Sequence, residues 1–363
     1  MSKLSIIYSL IRNFVPEKYW REFMEKDILL GKSVDELREV ALSVGLPGFA
    51  GKQMADWLYK KRVCEIDEMS NLSKKGREAL NERYVVGRVA PTHMAESVDG
   101  TKKYLFPVSC GERVESVYIP SADRATLCVS TQAGCKMGCK FCMTGGLGFH
   151  GHLTAADILN QFFSIPECEH LTNIVVMGMG EPMDNLNNLL RALAVLTSDW
   201  GCAWSPRRIT VSTVGLLPGM ERFLKESECH LAVSLHNPFS RERVEIMPVE
   251  KAYKLKDVLD LIKQYDFAHQ RRVSFEYIVF AGVNDSMRHA VELVKILRGI
   301  PCRINLIRFH DDDQCDLKCA SDERIAFLRD YLNDNGITTT IRQSRGEDIL
   351  AACGMLIAKE GTK

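Results

Sequence analysis

Neither sign of charge dominates this chain of 363 residues: Lys+Arg and Asp+Glu number 47 each. A basic tail and a whole-molecule field that would draw nucleic acid are therefore absent, so any RNA partner must be gripped by a local patch. No apolar run is long enough to span a bilayer. The N-terminal LSIIYSLI is followed by the charged PEKYWREFMEKD, with no small-residue cleavage site. It reads as an amphipathic helix, or as sequence upstream of a start at Met24, and residues 1–33 are set apart as an N-terminal extension. Internal repeats and low-complexity tracts are lacking. Cysteine, by contrast, is plentiful, at 13 residues. In a chain this long they do not resemble a small disulfide scaffold, and unpaired thiols in a reducing cytosol fit better. The apolar share of 46% is ordinary for a globular protein with room for one large domain and a smaller one.

Three thiols crowd one loop. Cys135, Cys139 and Cys142 are spaced C-x3-C-x2-C within CVSTQAGCKMGCKFCMTGGLGF, residues 128–149. Two metal chemistries fit that spacing. A tetrahedral zinc site needs a fourth ligand, for which His150 and His152 are near in sequence. A cubane iron–sulfur cluster held by three cysteines keeps one iron open to another ligand. Glycines at 134, 138, 145, 146 and 148 favour a loop wrapped round something bulkier than one ion.

The rest of the chain is organised around that loop. Residues 34–90 read as a helical accessory domain: Asp35, Leu37, Val40 and Ala41 have helical spacing, LPGF (46–49) breaks the chain, and GKQMADWLYKK (51–61) sets Met54, Trp57 and Leu58 on one face. Lys52, Lys60, Lys61 and Arg62 surround that face, as an RNA-docking patch or as the solvated side of an ordinary helix. Residues 91–123 form a β-hairpin extension in which YLFPV and RVESVYIP flank a turn at Gly111. From 124 to 343 the pattern runs strand then helix six times. The strands are RATLCVSTQ, NIVVMGM, RRITVSTVG, HLAVSLH, RRVSFEYIVFA and CRINLIRF, with a seventh over 338–343. This predicts an α/β fold, a partial (β/α)6 barrel whose site lies at the strands' C-terminal ends. The cysteine loop, residues 178–185, Ser212, residues 234–236 and His310 all fall there. Residues 344–363 close the chain, and AACG holds Cys353, by itself more typical of a small buried side chain than of a nucleophile.

Taken together, VESVYIP, RATLCVSTQAGCKMGCKFCMTGGLGF, VVMGMGEPMDN, ITVSTVGLLPGM, LAVSLHNP, FEYIVFAGVNDS, INLIRF and RGEDILAACG resemble the radical S-adenosylmethionine (SAM) RNA methyltransferases of the RlmN/Cfr family. The resemblance implies a radical SAM barrel with a 4Fe–4S cluster on Cys135, Cys139 and Cys142. It implies SAM held by Gly180, Glu181, Ser212, Ser234, Leu235 and His236, with His310 where a SAM-contacting Asn is usual. Two SAM molecules serve each turnover, as methyl donor and as radical source. Cys353 matches the cysteine that is itself methylated, Cys128 its later disulfide partner, and Glu115 the proton acceptor. The implied substrate is a ring carbon (C2, or alternatively C8) of an adenosine in 23S rRNA, or in tRNA. An electron donor such as flavodoxin, a cytoplasmic location, no membrane and a monomer complete the expectation. A radical SAM enzyme for a small molecule or peptide, and a noncatalytic RNA-binding paralogue, are the alternatives. Two departures stand out: the acidic run 311–313 would repel phosphate if it faced RNA, and Cys315 with Cys319 forms a second C-x3-C pair, either incidental or metal-binding.

Overall fold

The computed structural model describes residues 26–267, 272–311, 315–352 and 354–356. The N-terminal extension lies outside these apart from residues 26–33, and so does Cys353. The first unit is helical, with a short parallel pair of β1 (Asp27–Ile28) and β2 (Tyr84–Val85) at its base. Helix α1 (Val34–Ser43) begins at a capping box: Ser33 Oγ accepts from Glu36 N–H and the Glu36 carboxylate accepts from Ser33 N–H. Leu37, Val40 and Ala41 are buried as their spacing predicts, whereas Asp35 is exposed. The LPGF break separates α1 from α2 (Ala50–Ala55), and α3 (Lys74–Arg83) follows. Met54 and Leu58 are buried, and Trp57 is half-buried beneath the Lys61 ammonium, 3.4 Å from its ring centre. Lys60 pairs with Asp56 at 2.8 Å, and Arg62 turns inward to donate to Cys168 Sγ.

The hairpin extension is an antiparallel ribbon of three strands: β3 (His93–Glu96), β4 (Lys102–Pro107) and β5 (Arg113–Ser121). The turn at Gly111 joins β4 to β5 as expected, while β3 is an additional strand. Next comes β6 (Arg124–Cys128), antiparallel to β5, and then a small ribbon of β7 (Gln132–Gly134) and β8 (Phe149–His152), with the short α4 (Met143–Gly146) between them.

Six strand–helix units and a closing strand make the barrel. β6 leads to α5 (Ala155–Phe163), β9 (Asn173–Val176) to α6 (Leu186–Thr197), and β10 (Ile209–Thr213) to α7 (Leu217–Glu226). β11 (His230–Ser234) leads to α8 (Ser240–Ile246) and α9 (Leu255–Ile262), β12 (Val273–Val279) to α10 (Met287–Leu297), and β13 (Cys302–Arg308) to α11 (Asp322–Asp334) and β14 (Thr338–Ile341). The seven barrel strands are all parallel in the order β14-β13-β12-β11-β10-β9-β6, and β5, β4 and β3 extend the β6 edge. Nothing pairs β14 with β3 among the described residues, so the sheet stays open. Four of the helices bury apolar side chains against the strands: Leu189 and Leu193 on α6, Phe223 on α7, Leu293 on α10 and Leu328 on α11 join Val211, Val233, Phe275 and Ile304 in a common core. This is the predicted partial barrel. Among the described residues no helix is long and apolar enough to cross a membrane.

Candidate active site

The cysteine loop leaves the sheet beyond β6 and is pinched at its neck by β7 and β8. Cys135 N–H donates to the Gly148 carbonyl at 2.7 Å. Gly134 has a φ of +71°, and a Cβ there would sit 1.9 Å from that carbonyl oxygen, so only glycine closes the neck. Gln132, fully buried in the same ribbon, accepts from Glu181 N–H at 2.8 Å and donates to Asp184 at 2.7 Å. That brings the loop after β9 against the cysteine loop. The approach requires Gly180, whose φ is +98° and whose Cβ would meet Gln132 Cβ at 2.5 Å.

Cys135, Cys139 and Cys142 open into one cavity of about 860 Å³, counting its mouth, at the strands' C-terminal ends. Burial pushes the Cys135 thiol up to about 12. Burial also holds Cys139 well above its ordinary range, with Cys142 and Cys135 adding to the effect and Arg243 opposing it. Thiols in this position give up their protons to a metal's charge. Among the described residues, however, no three His, Cys, Asp or Glu side chains converge so as to hold one ion. The three thiols line one cavity with room for a group larger than a single ion, as a cluster held by three cysteines requires.

Gly180, Glu181, Ser212, Ser234 and His236 line the same cavity. The Glu181 carboxylate is turned to internal work: it accepts from Met183 N–H (3.0 Å), Thr213 Oγ1 (2.7 Å) and Val214 N–H (2.9 Å), bracing the loop after β9 against β10. Burial outweighs these bonds and raises it to about 7. His236 is buried with a φ of +53°, and its Nδ1 accepts from Ile278 N–H at 3.0 Å, which leaves the proton of the neutral ring on Nε2. Burial and the Arg243 charge lower its pKa to about 3. Two expected SAM-pocket residues do not line this cavity. Leu235 is fully buried in the core, because strand alternation turns it away from Ser234. His310, past the end of β13, faces an adjoining cavity instead and lies 3.8 Å from Glu347.

That second cavity, about 740 Å³ with its mouth, is lined by Cys128, Ile119, Val175, His310, Gln343, Ala352 and Gly354. It shares Met177, Ile307, Arg342 and Gly354 with the first, so the two adjoin. Cys353 lies outside the described residues, but both its neighbours border this space. Gly354 O accepts from Met143 N–H at 2.8 Å and Leu356 O from Thr144 Oγ1 at 2.7 Å, directly after Cys142. Glu115 lines neither cavity. Register nevertheless sets it on the same sheet face as Cys128: Lys103 faces Val117, Val117 faces Cys128, and Glu115 is two residues from Val117. Cys315 and Cys319 belong to no three-ligand group among the described residues. Asp311 pairs with Lys318 and accepts from Cys319 N–H, while residues 312 and 313 lie outside the described set.

No local pattern marks Arg243 and Glu250. Their fully buried pair closes at 2.5 Å, and the guanidinium also donates to the carbonyls of Val214, Ser234 and Leu235 at the ends of β10 and β11. SRERVEIMPVEK reads as a solvated helix, and only its tertiary position buries it. Arg342, which lines both cavities and reaches toward Glu276 at 3.5 Å, carries no local mark either.

An open parallel barrel with a three-thiol loop at its strand ends defines a radical SAM enzyme, and residues 129–294 match the Radical SAM superfamily profile. Residues 28–86 match the ribosomal RNA large subunit methyltransferase N-terminal domain. The chain is 58% identical over 333 residues to a probable dual-specificity RNA methyltransferase RlmN of Bacteroides fragilis, covering 92% of this chain and 97% of that one. It is 42% identical over 328 residues to the dual-specificity RNA methyltransferase RlmN of Syntrophotalea carbinolica, covering 90% and 88%. The crystal structure of a radical SAM methyltransferase from Sphaerobacter thermophilus superposes with a TM-score of 0.86 at 37% identity, covering 92% of this chain and all of that one. The chain belongs to the RlmN family of radical SAM RNA methyltransferases.

Proposed function

We propose that the protein methylates a ring carbon, C2 in preference to C8, of an adenosine in 23S rRNA, with tRNA as a second substrate class, through a methylated Cys353. The observation that carries this reading is the adjacency of the two cavities: the thiol-lined one shares four lining residues with the one bordered by Cys128 and by both neighbours of Cys353. Adenine C2 is electron-poor and the SAM methyl is electrophilic, so direct transfer between them has no nucleophile. A cysteine carrier supplies one.

Cys135, Cys139 and Cys142 hold the cluster, and Gly180, Ser212, Ser234 and His236 hold SAM beside it, with the Nε2–H of His236 as a donor. A bound cluster would supply the one-electron chemistry: reductive cleavage of SAM to a 5′-deoxyadenosyl radical and acceptance of the electron released later in the cycle. The Cys353 thiolate first takes a methyl group from one SAM and loses a hydrogen atom from that methyl to the radical derived from a second. The carrier's methylene then bonds to the ring carbon, and Glu115 accepts the ring proton. Cys128 attacks the Cys353 sulfur, the carbon–sulfur bond breaks, and the methylene gains a proton while a Cys128–Cys353 disulfide forms. A reductant such as flavodoxin serves the cluster. The helical unit supplies a docking surface for RNA through Lys52, Lys60 and neighbouring side chains. The protein acts as a cytoplasmic monomer.

Incubation of the reconstituted protein with ribosomal RNA and labelled SAM, followed by nucleoside mass spectrometry, should place the label on C2 of adenosine. In Cys353→Ala the iron content should be unchanged and methylation lost. Normal methylation by that variant would refute the carrier role.

A further inference from the structure

The C-terminal segment is clasped from two sides. Cluster-loop residues Met143 and Thr144 hold Gly354 and Leu356. On the other side, the turn between β3 and β4 grips residues 345–350. Asp99 accepts from Gly346 N–H at 3.0 Å, and Asp348 accepts from Ser97 Oγ at 2.5 Å and Val98 N–H at 3.2 Å. Lys103, on β4 just after this turn, is the one of these grips that also reaches Glu115. Its ammonium lies 3.0 Å from Glu115 Oε1 and 3.3 Å from the Leu350 carbonyl. The pair is nearly dry: the Lys103 side chain is 12% exposed and that of Glu115 is 1%. An ammonium shared between a buried carboxylate and a loop carbonyl ties the carboxylate's position to that of the loop.

We propose that Lys103 is a positioning residue for the methyl transfer: it aims the Glu115 carboxylate along the inner sheet face while fixing the segment that leads to Cys353. The inference rests on the reading of Glu115 as the proton acceptor. The step at issue moves one proton. The ring C–H bond of the adduct breaks, its electrons stay in the ring, and the proton goes to a Glu115 oxygen. Without the ammonium the carboxylate loses the 3.0 Å contact that sets its direction, and the Leu350 carbonyl loses its tie to β4.

The test compares Lys103→Met, Lys103→Arg and Glu115→Gln in the cluster-loaded full chain, with unmodified large-subunit ribosomal RNA as the probe. Iron content and Cys353 methylation by mass spectrometry should be unchanged in Lys103→Met. RNA methylation should fall by about tenfold or more, and a covalent protein–RNA adduct should accumulate on a denaturing gel, as in Glu115→Gln. Lys103→Arg, which keeps the charge, should restore turnover and clear the adduct. Wild-type turnover by Lys103→Met alongside a stalled Glu115→Gln would overturn the Lys103 proposal and leave the Glu115 reading standing. Wild-type turnover by Glu115→Gln would remove that reading and this inference with it. Loss of iron or of Cys353 methylation in Lys103→Met would assign the lysine to folding and equally overturn the proposal.

Discussion

His236 illustrates how surroundings fix the chemistry of a single side chain. Its ring is buried, accepts from Ile278 N–H, and lies within the field of Arg243. Burial and that charge lower its pKa from 6.5 to about 3. The folded protein therefore stays neutral at this position while the unfolded chain takes up a proton below pH 6.5. Stability fully present above pH 6.5 is lost as pH falls toward 3, at about 1.4 kcal/mol per unit. In His236→Asn the side-chain oxygen can still accept from Ile278, and Asn tolerates the left-handed backbone. Urea titrations at pH 6.5 and 5 should show the variant losing about 2 kcal/mol less than the wild type over that interval. Parallel losses would mean that the ring titrates freely.

Among the elements, the ends of β10 and β11 depend on a residue from α8. Arg243 bonds three carbonyls there, and its ion pair with Glu250 is wholly buried. Glu250 Oε1 already has no hydrogen-bond partner among the described residues. Arg243→Met should thus cost about 3–5 kcal/mol in denaturant unfolding of the cluster-free protein, because a buried carboxylate is left without its cation. Adding Glu250→Gln should recover part of that loss and leave the cost of the three abandoned carbonyls. Strictly additive single and double variants would argue against the coupling. The short clasp between β3 and β4 shows the same division of labour, since a turn outside the barrel holds the segment leading to Cys353.

For the molecule as a whole, balanced charge limits how RNA is held. With 47 residues of each sign, and with Lys60 paired to Asp56 and Lys61 over Trp57, only a few phosphate contacts are available to the helical unit. The salt dependence of RNA binding should be shallow, and Lys52→Glu with Lys60→Glu should weaken binding and reduce its log–log salt slope by about 1.5–2. An unchanged slope in filter-binding titrations would place the RNA on another face. The methylated position should stay the same in that variant, because the chemistry lies some elements away at the barrel mouth.

Strand and helix periodicity, together with the C-x3-C-x2-C spacing, determined the partial barrel, the hairpin and the thiol loop. These are written in local patterns of apolar and glycine residues, which short stretches of sequence carry intact. Only the tertiary structure decided which side chains meet. It took Leu235 into the core and His310 into the second cavity, against expectation, and it turned Glu181 inward as a brace. It also buried Arg243 from a stretch that reads as solvent-facing, and set Lys103 between Glu115 and a carbonyl 247 positions away. Charge pairing and burial depend on neighbours distant in sequence, so no local pattern encodes them.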